Sequence, residues 1–499
     1  MDLTLTISLI LGYFALLFVI SWLTGRKATE QTFFSADRSS PWYLVAFGMI
    51  GASLSGVTFL SVPGAVGGGQ WAYLQIVMGN VLGYVAIAYI LMPLYYRLNL
   101  TSIYGYLEQR YGDRSYKTGS ILFLVSRVIG ASLRLYLVSL VLQLVVCDPL
   151  GIPFEATVLI SIALIYLYTF RGGIKTVVWT DTLQTFCMLL GAGIAVYVIS
   201  SKLELDAGGL IQTLSESEYT QAFFWDWGPT NNFFKMLSTG FFISIVMTGL
   251  DQDMMQKNLT CRTLKDAQKN ILVFSGVFFL ANILFLSLGA LLYIYGTETG
   301  VLHALTDNCT LELLNPQTGE WVCYSKTDQL FPLLARDYLG TFAGIVFILA
   351  VIAAAYSSAD SALTALTTSF CVDLLGFEKR DDEDRKQQLR RLIHLGFAFV
   401  LFLVILVFAW INDEAVIWFI FRMAGYTYGP LLGLYAFGLY SKVDVPDQAI
   451  PWICLGSPLL TYLIQLISPS LLGYTFGFEL LILNGALTML GLWIAGKMK

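Results

Sequence analysis

Long apolar segments alternate with short polar segments along the whole chain. Each apolar segment is roughly 17 to 30 residues long, which is enough for an α-helix to cross the hydrocarbon core of a bilayer. The pattern therefore predicts about thirteen membrane-spanning helices. We expect them at residues 3–24, 42–63, 73–98, 116–146, 153–170, 174–200, 232–256, 270–295, 341–375, 392–411, 415–440, 451–467 and 476–496.

Two regions of the chain follow the same plan, because each opens with a span that small residues interrupt. These residues are Gly48, Gly51, Ser53, Ser55 and Gly56 in the first opening span, and Gly240, Ser244, Thr248 and Gly249 in the second. Four more spans follow each opening span. Because five is an odd number, the second set enters the membrane from the opposite side, and this predicts an inverted repeat.

The fold class that we predict is an all-α polytopic membrane protein with a 5+5 inverted-repeat transporter core. A discontinuous helix begins each repeat. The chain, 1–499, is expected to form a single transmembrane domain. Within it we expect an extra N-terminal helix at 1–25, the first repeat at 42–200, the second repeat at 232–440 and accessory helices at 450–499.

Composition supports a membrane protein, since 57% of the residues are hydrophobic and only 13% are charged. A soluble core cannot bury so much apolar surface. Most of the 29 Lys and Arg residues fall in segments on one side of the membrane, which places the N-terminus outside and the C-terminus in the cytoplasm. We expect a multi-pass protein of the plasma membrane, in a bacterium the inner membrane, with its first span retained. Nothing in the sequence suggests nucleic-acid binding.

Cysteines and histidines add little chemistry, because most of the seven cysteines lie singly in apolar spans. Cys309 and Cys323 flank a polar loop on the outer side, where they can either form a disulfide or remain thiols. The two histidines, His303 and His394, lie far apart on opposite sides of the predicted membrane. The chain lacks metal-ligand spacing and a catalytic base with a partner, so we do not expect an enzyme.

Two short polar runs at membrane depth are the most informative feature. They are Gly51-Ala52-Ser53-Leu54-Ser55-Gly56 and Ala354-Ala355-Tyr356-Ser357-Ser358-Ala359-Asp360-Ser361. At about 100° per residue, Ala354, Ser357, Ser358 and Ser361 share one helical face, while the first run can offer free backbone carbonyls. A hard cation prefers such oxygen ligands. The alternative is that these small residues only allow helices to pack closely.

Two carboxylates lie inside predicted spans, and each needs a partner there. Asp181 lies two turns into its span, and Asp360 lies deep in the serine-rich span. A carboxylate at the centre of a span costs about 2.5 to 3.5 kcal/mol even on the insertion scale. The partner can be a bound cation, a proton, or one of the span arginines Arg127, Arg134 and Arg422.

The chain resembles the sodium/solute symporters, the family that includes sodium/glucose, sodium/proline and sodium/sialic acid cotransporters. The resemblance covers nearly the whole chain. It is carried by the 51–56 run leading to Val62-Pro63-Gly64-Ala65-Val66, by Gly172-Gly173 through Val177-Val178-Trp179-Thr180-Asp181 and Gln184, by Asp251-Gln252 through Gln256-Lys257, and by Ser357-Ser358 through Asp373.

The resemblance implies a first sodium site, formed by the backbone carbonyls of Gly51, Leu54 and Ala354 and by the hydroxyls of Ser357 and Ser358. Members with a second sodium use an acid at the position of Asp181 and hydroxyls at the positions of Asp360 and Ser361. An aspartate at position 360 departs from that pattern. It can strengthen a second cation site, or replace it with a proton site or an ion pair.

The resemblance also implies a solute pocket beside the first sodium site. Its lining would include Thr58, Asn80, Asp251, Met254 and Phe421. Arg134 and Arg422 are unusual cations for such a pocket. Each can bind a carboxylate of the solute through two parallel contacts, or can pair with Asp251, Asp253 or Asp360 in a structural role.

We therefore expect a secondary active transporter that imports a small organic solute, a sugar, a carboxylate or a similar molecule, by sodium symport through alternating access. Two readings compete with it: a proton-coupled porter of the same fold, and a transporter-like nutrient sensor. The expected partners are sodium ions, the solute and the lipid bilayer. No obligatory protein partner is inferred.

Overall fold

The computed structural model describes residues 3–26, 33–34, 36, 39–170, 173–306, 309–377, 382–411 and 416–498. Gly172 of the motif above lies outside these residues, as does the segment 378–381.

Helices make up almost all of the described chain, and we number them in order. The first repeat and the helix before it contain α1 (Leu3–Gly25), α2 (Trp42–Ser53), α3 (Gly56–Gly69), α4 (Tyr73–Arg97), α5 (Gly105–Arg110), α6 (Asp113–Leu142), α7 (Phe154–Thr169), α8 (Gly173–Lys202) and α9 (Ala207–Glu216). The remainder contains α10 (Phe233–Gly249), α11 (Gln252–Asn258), α12 (Leu264–Glu298), α13 (Leu330–Asp337), α14 (Thr341–Leu374), α15 (Glu383–Ile411), α16 (Val416–Thr427), α17 (Gly429–Tyr440), α18 (Ile450–Leu472) and α19 (Leu480–Lys497).

The described residues contain nine helices that are long and apolar enough to cross a bilayer. Two further spans are bent pairs: α2 and α3 meet at 54°, and α10 and α11 meet at 69°. Three shorter apolar helices, α7, α16 and α17, lie at the positions of two other predicted spans. The exact number of thirteen spans stays a prediction, but both discontinuous helices occur where the small residues indicated them.

Local chemistry explains where the two broken spans are interrupted. Leu54 and Ser55 have extended or irregular backbone angles, which end α2 and let α3 begin in a new direction at Gly56. At the second break, the Asp251 side chain accepts hydrogen bonds from the backbone N–H groups of Asp253 and Met254. It therefore caps α11, and the cap satisfies donors that a continuous helix would have used.

The serine-rich helix α14 lies at the centre of the bundle, and 83% of its most apolar stretch is buried. It packs along α8 and also contacts α2 and α6. The polar run 354–361 is completely enclosed by these neighbours. Small polar groups at this depth therefore face protein and not lipid, as the chemistry of a bilayer requires.

Glycines allow α4 and α10 to approach closely. A Cβ atom added at Gly79 would lie 2.1 Å from the carbonyl oxygen of Leu237, and one added at Gly240 would lie 2.0 Å from that of Ile76. Backbone atoms cannot move aside as the end of a flexible side chain can. Contacts between small residues are a common basis of helix packing in membranes.

The loop between α12 and α13 forms a small antiparallel sheet of three strands in the order β1 (Leu302–Thr306), β2 (Cys309–Leu314) and β3 (Trp321–Tyr324). Thr306 pairs with Cys309 across the first turn, and Glu312 pairs with Cys323 in the second ladder. Cys309 and Cys323 form a disulfide. The sequence left open whether these two cysteines form a disulfide or remain thiols, and in the structure they form the disulfide.

We predict that Gly240→Ala lowers the melting temperature of the purified protein, because the added methyl group overlaps backbone of α4 and overpacking typically costs about 1–3 kcal/mol. Gly276→Ala is the matched control, since it lies in α12 with nothing within 4 Å of the added atom. Thermal unfolding in detergent measures both. Equal melting temperatures for the two variants would contradict close packing at Gly240.

Candidate functional site

The first break and the serine-rich helix come into direct contact. A Cβ atom added at Gly51 would lie 2.3 Å from Oγ1 of Thr185 and 3.0 Å from Oγ of Ser357. The absence of a side chain at position 51 thus lets α2 touch α8 and α14 together. Leu54 and Ala354 are buried at the same junction.

Carbonyl oxygens at the first break are available to bind a ligand. Within the described chain, no backbone donor reaches the carbonyl oxygen of Gly51 or of Leu54, because Ser55 lies outside both helices. The hydroxyl of Ser358 donates to the neighbouring Ala52 carbonyl at 3.3 Å, which is a long hydrogen bond. The predicted first-site residues are therefore brought together, and their oxygens suit a hard monovalent cation.

Ser357 connects this junction to a buried ion pair. Its hydroxyl donates to Oδ1 of Asp181 at 2.6 Å, and Oδ2 of Asp181 accepts from Nζ of Lys257, also at 2.6 Å. Asp181 and Lys257 are both almost completely buried. Because the only hydroxyl proton of Ser357 points to Asp181, both lone pairs of its oxygen remain available on the other side.

Lys257 is the functional residue that the sequence reasoning missed. Lys257, and none of the three span arginines considered as partners of Asp181, forms the ion pair with it. The 69° bend between α10 and α11 turns the short helix inward, so that Lys257 reaches α8. The sequence offered one signal for Lys257, which is its place in the motif that ends in Gln256-Lys257, a motif with both polar and apolar residues.

The second sodium set does not assemble around one point. Asp181 is engaged by Lys257 and Ser357, and Ser361 donates to Asp253 on α11. Oδ2 of Asp360 accepts from the hydroxyl of Tyr168 at 2.8 Å, while its Oδ1 has no partner among the described residues. The expected ion pair between Asp360 and a span arginine does not occur in the described chain, and this reading of Asp360 is wrong.

Arg127 of α6 pairs with the acidic side chains at the second break. It forms a close ion pair with Asp253, and its Nη1 lies 3.8 Å from Oδ2 of Asp251. The hydroxyl of Tyr428 donates to that same oxygen at 2.5 Å. The two acids at the start of α11 therefore share the positive charge of one arginine from α6, and Asp251 also accepts a hydrogen bond from Tyr428, which lies between α16 and α17.

A cavity of about 90 Å³ lies between the two broken spans. Five of the predicted solute-contacting residues line it: Thr58, Asn80, Arg134, Met254 and Phe421. The remaining lining contains polar and aromatic side chains and apolar ones in similar number. The polar and aromatic ones are Ser53, Ser55, Tyr73, Tyr84, Arg127, Ser244, Thr248 and Phe278, and the apolar ones are Ala52, Val57, Ile243, Met247, Ile417 and Ile420.

Two predicted solute contacts are absent from the cavity. Asp251 is buried against Arg127 and Tyr428, where it caps α11. Arg422 follows Phe421 on α16 but is exposed, because consecutive residues of a helix point about 100° apart. Neither residue lines the cavity in this structure, and their roles as solute ligands stay predictions.

Arg134 differs from the other buried cations near the cavity, because no hydrogen bond or ion pair to a described residue satisfies it. Its Nη1 is buried and without a partner. Arg127 also has a buried Nε without a hydrogen-bond partner, but its guanidinium forms ion pairs with Asp251 and Asp253, whereas Arg134 forms none with a described residue. The Asn80 side chain also has a buried, unpaired acceptor oxygen in the cavity wall. A guanidinium with open donors is suited to bind a carboxylate in a two-pronged contact.

The described residues contain no group of three or more His, Cys, Asp and Glu side chains that could hold a metal ion. His303 lies on the extramembrane sheet, where its Nδ1 is 3.4 Å from Oε2 of Glu312. His394 is buried between the hydroxyls of Thr169 and Thr367. The two histidines therefore do not share a site.

Comparisons with known proteins agree with this geometry. The model of the sodium:solute symporter family matches residues 33–444. The chain is 27% identical to the sodium/sialic acid symporter NanT of Aliivibrio fischeri, across 87% of this chain and 83% of that protein. It is 25% identical to the sodium/sialic acid symporter SiaT of Proteus mirabilis, across 90% and 87%, and 25% identical to the human sodium/iodide cotransporter, across 86% and 65%.

Solved structures show the same fold. A Na⁺-coupled sialic acid symporter in a substrate-bound, outward-open state matches with a TM-score of 0.81 at 20% identity, covering 99% of this chain and 98% of that one. Mhp1, a nucleobase-cation-symport-1 family transporter, matches with a TM-score of 0.57 at 14% identity, covering 93% and 95%. The predicted all-α transporter fold is confirmed.

We predict that Lys257→Met strongly destabilises the protein, because it leaves Asp181 as a buried charge without a counter-ion, a loss of about 3–5 kcal/mol in comparable cases. The double variant Asp181→Asn/Lys257→Met should recover most of the melting temperature. Lys117→Met is the control. Nζ of Lys117 lies at a similarly short 2.7 Å from Oδ2 of Asp113, but this pair is exposed, so its loss should change the melting temperature little. A double variant as unstable as Lys257→Met alone would contradict the pairing.

Proposed function

The chain belongs to the sodium:solute symporter family, and on that premise we propose that it couples the entry of sodium to the uptake of a small organic solute that carries a carboxylate. The observation that carries the choice of solute is Arg134. It is the buried cation of the cavity whose guanidinium meets no acid of the described chain. Leaving such a group unsatisfied is costly, so a ligand carboxylate would stabilise it.

The remaining cavity wall suits a solute with an apolar part and several hydroxyl or amide groups. The unpaired oxygen of Asn80 can accept a hydrogen bond, and Thr58 can donate or accept one. Tyr73 and Phe421 stack with their ring centres 6.3 Å apart. Two of the relatives are named as sialic acid symporters, and sialic acid is a carboxylate that also carries hydroxyl and amide groups. We propose it as the first solute to test, and a short monocarboxylate as the second.

The sodium that drives uptake would bind at the first break. The ligands that we propose are the carbonyls of Gly51, Leu54 and Ala354 and the hydroxyls of Ser357 and Ser358. The unpaired carbonyls at the break support this assignment. Asp181 and Lys257 would not contact the sodium themselves. Asp181 accepts a hydrogen bond from the Ser357 hydroxyl and Lys257 pairs with Asp181, so the lone pairs of the Ser357 oxygen would face the cation.

We propose one sodium per cycle. The ammonium of Lys257 already neutralises Asp181, and Ser361 is bonded to Asp253, so two of the three groups expected at a second site are occupied within the protein. One sodium and one carboxylate carried together move no net charge. The sodium gradient would then drive accumulation, and the membrane potential would contribute little.

Transport follows from the linkage between the two ligands. Sodium at the first break would join α2 and α3 to α14, and the cavity wall formed by α3 would then be ordered for the solute. Each ligand must tighten the binding of the other by the same factor. The bundle can then rock to the opposite side, where a low sodium concentration favours release.

We propose that the N-terminus lies outside and the C-terminus in the cytoplasm of a plasma membrane. The disulfide between Cys309 and Cys323 supports this orientation, because disulfides persist in oxidising compartments. In this orientation the first residues of α4, α10 and α16 lie on the same side of the membrane as the disulfide loop, and the cavity would open to the outside there.

For the sodium site, we expect Ser358→Ala to raise the half-saturating sodium concentration several-fold, since one hydroxyl ligand is lost. Purified protein is titrated with NaCl at constant ionic strength, with KCl as balance, and its melting temperature reports occupancy. The wild type should saturate with a Hill coefficient of about one. Thr364→Val is the control, because its hydroxyl lies on the same helix without a partner among the described residues. An unchanged half-saturation in Ser358→Ala would refute the assignment.

For the solute, we expect Arg134→Gln to abolish the stabilisation that sialic acid or lactate gives to the protein in sodium, while Arg134→Lys retains a weaker effect. Arg422→Gln is the matched control, since Arg422 is the exposed arginine outside the cavity. Thermal shift and uptake into proteoliposomes measure the two properties separately. If Arg134→Gln retained full binding of a carboxylate, the proposed role of Arg134 would be wrong.

A further inference from the structure

Helix α16 forms one wall of the cavity with only one of its faces. Ile417, Ile420 and Phe421 line the cavity, and the Phe421 ring stacks on Tyr73 from the first repeat. The opposite face of α16 contacts α18, α19 and the segment that joins them. These last two helices belong to neither predicted repeat. What they do to α16 is therefore a separate question.

A buried side-chain amide of α19 binds the backbone at the inner end of α16. Pro430, at the start of α17, has no N–H, so the carbonyl of Tyr426 lacks the donor that a continuous helix would supply four residues later. The Asn484 side chain of α19 donates instead, to the carbonyls of Gly425 and Tyr426, both at 3.0 Å. Asn484 is fully buried.

The approach of α19 to this break depends on a glycine. A Cβ atom added at Gly429 would lie 2.3 Å from Nδ2 of Asn484. The break between α16 and α17 is thus shaped to admit one particular side chain. Interruptions of the helical hydrogen-bond ladder are the points at which helices kink and hinge.

The outer end of α16 is held by an aromatic residue of the connecting segment 473–479. The Phe478 ring stacks on Trp418 with ring centres 5.3 Å apart and planes at 17°. It also meets Phe421 edge-on at 5.6 Å. Phe478 therefore contacts Phe421, a residue of the cavity lining.

We propose that α18, α19 and the segment 473–479 form a brace that positions α16 and sets how readily the cavity opens to the outside. Asn484 holds the hinge of the helix and Phe478 holds its tip. Both are positioning residues, since neither lines the cavity. The inference rests on the proposed function in taking the cavity as the path of the solute, but its test needs no solute.

The hinge is tested with a double-mutant cycle on Asn484 and Pro430. A cysteine introduced as Val57→Cys in the cavity wall reports opening through its rate of modification by a membrane-impermeant maleimide, corrected for labelling of the chain without it. Asn484→Ala should raise that rate about fivefold, as expected for the loss of a buried hydrogen bond. Pro430→Ala restores the backbone donor to Tyr426, so the further effect of Asn484→Ala in this background should fall below twofold.

The tip is tested with Phe478→Ala against Phe476→Ala. Phe476 lies in the same segment and its ring meets Tyr474, without a ring contact to α16. Phe478→Ala should speed modification of the reporter several-fold, and Phe476→Ala should not. The proposal is overturned if Asn484→Ala and Phe478→Ala leave the rate unchanged in folded protein, or if Asn484→Ala acts equally with Pro430 or Ala at position 430. A failure of sodium or carboxylate binding would instead count against the proposed function.

Discussion

A charge buried in the membrane-spanning part of a protein must meet an opposite charge, and in this chain the short helix α11 meets that requirement twice. Asp253 and Lys257 lie one helical turn apart on α11. The first pairs with Arg127 of α6, and the second pairs with Asp181 of α8. A shift of α11 relative to α6 and α8 would therefore leave buried charges uncompensated on both of those helices.

The same constraint connects the cation site to the solute cavity. Asp181 accepts a hydrogen bond from the Ser357 hydroxyl, so the ion pair between Asp181 and Lys257 also orients a proposed sodium ligand. Arg127 forms an ion pair with Asp253, whereas Arg134 has no ion pair among the described residues and would be available to a ligand in the cavity. The arrangement of buried charges thus separates a structural arginine from one that is free to bind.

The sequence predicted those parts of the site that depend on local pattern. The break at Gly51 to Gly56 and the helical face at Ala354 to Ser358 follow from residue type and spacing, and the structure brings them together. Lys257 was missed because its position depends on the 69° bend of α11, which no periodicity encodes. The position of Arg422 could not be read from the sequence, because the rotation of α16 about its axis depends on its packing, which places Phe421 in the cavity wall and leaves Arg422 exposed. Asp360 pairs with Tyr168, a neutral partner that a search for opposite charges overlooks.

Thermal stabilisation of the purified wild-type protein by a carboxylate, compared in NaCl and in KCl at several pH values, tests the central claim most directly. We expect sialic acid, or failing that lactate, to raise the melting temperature in sodium and to have little effect in potassium, whereas uncharged glucose should not act in either salt. Linkage requires this dependence if both ligands bind one coupled site. Stabilisation that is equal in the two salts, or that follows pH and ignores sodium, would contradict the account and favour a proton-coupled porter.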